Sequence, residues 1–257
     1  MSGPLAIMAV LLAETAVGGT VVVWASGVHD AVRRGFFLLS GVILALCAWA
    51  AWATARAAVG QDPTVAEGRM VLAFGAFAGL LTVWQVLVLA RLRSERFVGL
   101  AAAAVGVVAL VALAMARGSR VVPALFEVVA GAVFLGSTLF GLLLGHWYLV
   151  ERRLSNRYMV RSAWFYVAGV AAAVVGAALA AQNPAPAVQG FSPFLAVPGF
   201  SLLLAAGLVA ICALIAGFVW KLAQEGGRSI QAATGRFYLA VIMAFSAELS
   251  SKIRFFG

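Results

Sequence analysis

The sequence predicts an all-α, polytopic integral membrane helical bundle of about eight transmembrane helices. Three observations carry that prediction. The 257-residue chain is 64% hydrophobic and only 11% charged, with a mean hydropathy of +1.06, whereas a soluble domain carries about 25% charged residues. Its apolar stretches have the length of a bilayer crossing, about 20 residues. They are also continuous and rich in Ala, Leu and Val, where a barrel strand would alternate. Lipid offers backbone groups no partners, so continuous apolar runs must satisfy themselves as helices.

The first span, 4–27, opens at Pro4, a residue suited to a helix start. It lacks a basic leader and carries Glu14 within its apolar run, so it reads as a span and not as a cleaved signal. The second, 36–58, is closed by Gly60-Gln61-Asp62-Pro63. Span three, 70–90, holds Gln85 beside Trp84, and span four covers 98–116. Span five, 123–149, starts at Pro123 and is punctuated by Gly131, Gly136, Gly141 and Gly145. Such spacing brings small residues to a similar face and marks this helix as central to the packing. Span six, 160–181, leads into an uncharged connection running from Gln182-Asn183-Pro184 to Pro198. Span seven is 196–220. The last, 234–250, has a short apolar core with Glu248 near its end. No polar stretch is long enough for a soluble unit, so residues 1–257 read as a single transmembrane domain.

Charge gives orientation. Connections 1–2, 3–4, 5–6 and 7–8 hold twelve Lys and Arg residues, against six on the other side, Lys252 and Arg254 among them. The positive-inside rule then puts both termini outside the cytoplasm. A net charge of +9 could suggest nucleic acid, but the basic residues are scattered over short loops and form no stripe. The strong preference for Arg over Lys fits a GC-rich bacterial genome and hence a bacterial inner membrane. Cys47 and Cys212 fall mid-span without C-x-x-C pairing and read as inert thiols.

The halves 1–118 and 119–257 echo one another. Phe36-Phe37-Leu38-Leu39-Ser40-Gly41-Val42 parallels Trp164-Phe165-Tyr166-Val167-Ala168-Gly169-Val170. Glu14 precedes Gly18 as Glu127 precedes Gly131, and His29 and His146 each come shortly before an arginine pair. The pattern admits a four-plus-four parallel repeat. It also admits the likeness that any two apolar helices share.

Few residues could carry chemistry. Glu14 lies about 15 Å from the start of its span at 1.5 Å per residue, near the midplane. A carboxylate there costs about 2.5–3.5 kcal/mol on insertion scales and usually faces an interior or a water path. It could carry protons or ligate a cation, or remain a protonated acid bonded to a neighbouring helix. Glu127 is a second proton-carrying candidate. Both it and Glu248 lie nearer the outer face, where each could stretch its head group to the interface. Gln85 reads as a polar link between helices.

The run Gly145-His146-Trp147-Tyr148, followed by Arg152 and Arg153, is the densest group of functional side chains. His146 or Tyr148 could donate to a quinone carbonyl, Trp147 could stack, and Arg152 and Arg153 could bias charge. An interfacial aromatic belt beside positive-inside arginines explains most of the same residues. His29 falls near the same membrane face, so His29 and His146 could ligate a b-type haem, although His29 sits in a connection. No metal-ligand spacing and no nucleophile, phosphate-loop or dinucleotide motif occurs.

The first functional reading is therefore a membrane subunit of a bacterial electron-transfer complex that contacts quinone near the cytoplasmic interface. On this reading the chain is not catalytic alone, and its partners are lipid and other subunits of the complex. A proton-coupled secondary transporter is the rival, with Glu14 as coupling acid and the 182–198 connection as an outer gate. A structural or assembly anchor without a site of its own is the third.

Overall fold

The computed structural model describes residues 3–117, 120–151, 154–181 and 199–253, and among these the regular structure is all helical. The helices are α1 (Pro4–Ala25), α2 (Arg34–Val59), α3 (Val65–Ala90), α4 (Glu95–Ala116), α5 (Val121–Val150), α6 (Arg157–Ala181), α7 (Phe200–Glu225) and α8 (Ser229–Lys252). Each is long and apolar enough to cross a bilayer. Large apolar side chains such as Leu72, Leu203 and Leu214 point outward, about 70% exposed, as a surface in contact with lipid requires. The protein is a helical membrane protein.

The helices match the predicted spans in number and order, and most overrun them by one to five residues at an end. Apolar runs stop at the first charged residue, whereas the backbone ladder runs on to a stop signal. Gly60 at φ 76° ends α2 and Gly226 at φ 69° ends α7, conformations that suit glycine. At the start of α3, Thr64 accepts from the Glu67 amide while the Glu67 carboxylate accepts from the Thr64 amide, a reciprocal capping box. The last segment, whose apolar core looked short, is a full helix of 24 residues. Its polar residues Thr234, Glu248 and Lys252 are buried against protein, so lipid hydropathy understated it.

Two helices form the centre. Over their most apolar 18-residue stretches α1 and α5 are 78% buried, against 33–39% for the other six. Helices α1 to α4 pack in succession and α4 returns to α1; α5 to α8 repeat that neighbour order and α8 returns to α5. The central pair joins the two sets.

Small residues set that join. A Cβ on Gly18 would fall 1.8 Å from the Ala132 carbonyl oxygen, and one on Gly136 would fall 2.1 Å from the Gly18 carbonyl carbon. The helices therefore meet backbone to backbone, the close approach that drives association where lipid removes the hydrophobic driving force. Further along α5, Gly141 receives the Phe237 ring and Gly145 receives Thr234, both from α8. Gln85 of α3 donates to the Phe37 carbonyl of α2 at 3.2 Å, the link expected of it.

Gly136→Ala should lower stability in detergent by roughly 1–3 kcal/mol, because backbone blocks the new methyl. Gly79→Ala, with open space around it, should leave the thermal midpoint unchanged or slightly raised. Equal midpoints for the two variants would refute the close α1–α5 join.

Candidate functional site

The polar centre of the bundle is built from three helices. Lys252 stands in the last turn of α8, and side chains on a helix lean back toward its N-terminus. Its ammonium therefore returns along the helix to Glu248, four residues earlier, at 2.5 Å. The same nitrogen lies 2.7 Å from both carboxylate oxygens of Glu14, in the middle of α1. Lys252 and Glu14 are both 0% exposed and Glu248 is 8% exposed. One cation thus serves two carboxylates in the interior of a membrane protein.

Room for this arrangement comes from Gly131 of α5. A Cβ there would lie 2.6–2.7 Å from the Glu14 carboxyl group, so the missing side chain is what the acid occupies. Close by, Arg117 at the end of α4 pairs with Glu127 of α5 at 3.2 Å, their side chains 11% and 9% exposed. Glu127, Glu248 and Ser251 then line a small cavity walled by Gly176, Ala205 and Ala247, with about 10 Å³ open to the centre of a water molecule. That is about the room one water needs.

The two ion pairs share a topology. In each case a cation at the C-terminal end of a set's fourth helix grips a carboxylate on the first helix of the other set: Arg117 to Glu127, and Lys252 to Glu14.

Glu14 is fully buried at the middle of α1. Glu127 and Glu248 do not reach for the interface. Each finds a cation inside the bundle, which costs less than dragging a short side chain through lipid. Lys252, counted from sequence as a loop cation, is a core residue. The signal that could have found it was the four-residue spacing from Glu248, which puts the pair on one helix face.

The aromatic group behaves differently. Successive helical residues point about 100° apart, and His146, Trp147 and Tyr148 leave α5 in separate directions. His146 is exposed and its Nδ1 lies 3.0 Å from the Tyr238 hydroxyl of α8. The Trp147 indole donates to Glu151 at 3.0 Å and its ring covers Gly35. Tyr148 donates to the Ser155 carbonyl at 2.6 Å and accepts from the Met159 amide. His29 lies between Trp24 and Phe37, with ring centroids 3.8 and 4.2 Å away. Arg152, Arg153 and the 182–198 connection lie outside the described residues. Among the described residues no group of three or more His, Cys, Asp or Glu side chains is placed to hold a metal.

No family model, curated protein or solved structure matches this chain.

Removing the cation alone leaves two buried carboxylates facing each other. Lys252→Met should destabilise the protein by about 3–5 kcal/mol, the usual cost of orphaning a buried charge. The triple variant Glu14→Gln, Glu248→Gln, Lys252→Met should recover most of that loss in thermal unfolding. A triple variant less stable than the single one would contradict the shared-cation arrangement.

Proposed function

We propose that this protein is a proton-coupled secondary transporter whose coupling acid is Glu14. The observation carrying this reading is the buried Glu14–Lys252–Glu248 triad. Fully ionised, two carboxylates on one ammonium hold an excess negative charge, which a single proton or cation neutralises. Buried ionisable groups in a membrane are expensive and commonly mark proton or ion paths.

The triad also joins elements that transport must move. Glu14 belongs to the first four helices, while Lys252 and Glu248 belong to the second four. Adding a proton to Glu14 leaves Lys252 to Glu248 alone and loosens α1 from α8. Proton occupancy is thereby linked to contact between the halves, and sites at such repeat interfaces serve this purpose in other transporter folds. A water in the neighbouring cavity would touch Glu127 and Glu248 and could extend the path toward the end carrying Arg117. On this reading Glu127 is the second proton-carrying group, and the uncharged 182–198 connection faces outward. Bacterial inner-membrane residence, with both termini non-cytoplasmic, belongs to the same proposal.

The electron-transfer reading has one observation in its favour, the exposed His146–Tyr238 pair at the arginine-rich end. A quinone head group could approach it from lipid. The separate directions of Trp147 and Tyr148 favour transport over this alternative, in which the chain would serve as one subunit of a larger complex. If it holds, His146→Ala should reduce quinone-linked electron flux at unchanged protein abundance, and unaltered flux would dismiss it.

For transport, proteoliposomes loaded with a pH-sensitive dye would be challenged with a panel of amino acids, sugars and metal cations. At least one should acidify the lumen with the native protein, and Glu14→Gln should abolish that signal. The variant leaves a neutral Lys252–Glu248 pair, so the fold should persist. Uptake that survives Glu14→Gln would remove Glu14 as the coupling acid.

A further inference from the structure

Away from the triad, beside the C-terminal end of α1, the turn joining α3 to α4 packs against the start of α2. Arg34, Arg91, Arg93 and Arg96 there line a hollow of about 470 Å³, with Glu95 as the one acid in its wall and Leu92 as its apolar member. Arg34 is half-buried and donates to the Leu89 carbonyl, which fixes its guanidinium at the rim. Arg91 ends α3 in the left-handed region, at φ 60°, an uncommon conformation for a side-chain-bearing residue. It turns the chain so that Arg91, Arg93 and Arg96 fall around one space.

Two helices also begin at this end. The N-cap residues of α2 and α4, Arg33 and Ser94, offer no side-chain hydrogen bond. The Glu95 amide is taken by the Leu92 carbonyl and the Phe36 amide by the Arg33 carbonyl, and the N-terminal ends of both helices add partial positive charge through the helix dipole. Beside the hollow, Phe97 is 78% exposed and Leu89 68% exposed, as acyl-chain contacts would be. Phosphate groups match planar guanidinium forks, and the flanking apolar side chains select a phosphate that carries hydrocarbon.

We propose that this hollow is a binding site for the headgroup phosphate of an anionic phospholipid. The arginines hold the phosphate, and the acyl chains run down α4 along Phe97. Uniform positive-inside charge would attract anionic lipid diffusely; four guanidiniums around one cavity retain a particular molecule.

The test is native mass spectrometry of the detergent-purified full chain, titrated with phosphatidylglycerol or with phosphatidylcholine of the same acyl chains. The native protein should retain phosphatidylglycerol at concentrations where phosphatidylcholine dissociates. Arg91→Asn with Arg93→Gln should weaken phosphatidylglycerol about thirtyfold, Asn being chosen because it tolerates the left-handed backbone. Arg93→Gln alone, at an exposed position, should give a smaller loss in the same direction without risk to the fold. Arg56→Gln with Arg69→Gln, at the other end, should change nothing. Equal retention of the two lipids by the native protein overturns the proposal. So does loss of phosphatidylglycerol to millimolar inorganic phosphate, which would make the hollow a site for free anions.

Discussion

A single ammonium held between two carboxylates, out of reach of solvent, is the constraint around which this bundle is arranged. Desolvating such ions costs several kcal/mol each, and only close pairing offsets it. Several neighbouring features follow from that demand. Gly131 must lack a side chain so that the Glu14 carboxyl can lie against α5. Helix α8 must run its full length for Lys252 to fold back onto Glu248. It must also return to the centre instead of resting on the outside, since Glu14 sits on the most enclosed helix pair.

The seam between the halves is held differently along its length. In its middle, Gly18, Gly19, Ala132 and Gly136 provide contact of backbone on backbone, without charge. At the arginine-rich end, Arg161 donates to the Ser26 carbonyl at 2.5 Å and Arg33 meets Glu151 at 3.2 Å. The Arg33 side chain is 81% exposed, so that pair contributes little. Deeper in, the ion cluster ties the halves at considerable energetic stake. The seam is thus uncharged at its middle and ionic where Lys252 meets Glu14.

Helix number, order and centre were legible because hydropathy is a local property and the spacing of glycines on one helix is too. The position of Glu14 in the middle of its helix was legible for the same reason. What could not be read was partnership across 238 positions of sequence, from Glu14 to Lys252. Counting cations by loop treated Lys252 as a topology signal, and treating Glu127 and Glu248 as interface-seeking assumed that no cation awaited them inside. The density of His146, Trp147 and Tyr148 along the chain was a different matter. Adjacency in sequence scatters side chains around a helix, and convergence on one ligand would have needed spacings of three or four.

The two crossed ion pairs are alike in topology and unlike in chemistry, and the difference bears on the transport reading. A guanidinium stays protonated under all ordinary conditions, so Arg117 can act on Glu127 only as a constant positive charge. An ammonium is a compact charge on a flexible stem, able to turn between acceptors. Lys252 already touches acceptors on both sides of the seam. Had the cations been exchanged, a planar guanidinium forked onto Glu14 would have fastened the halves together more firmly and given a proton less to change. With lysine at the fully enclosed position and arginine at a slightly exposed one, the outer pair serves as a fixed brace. On the transport reading, the inner triad is the part that would respond to a proton.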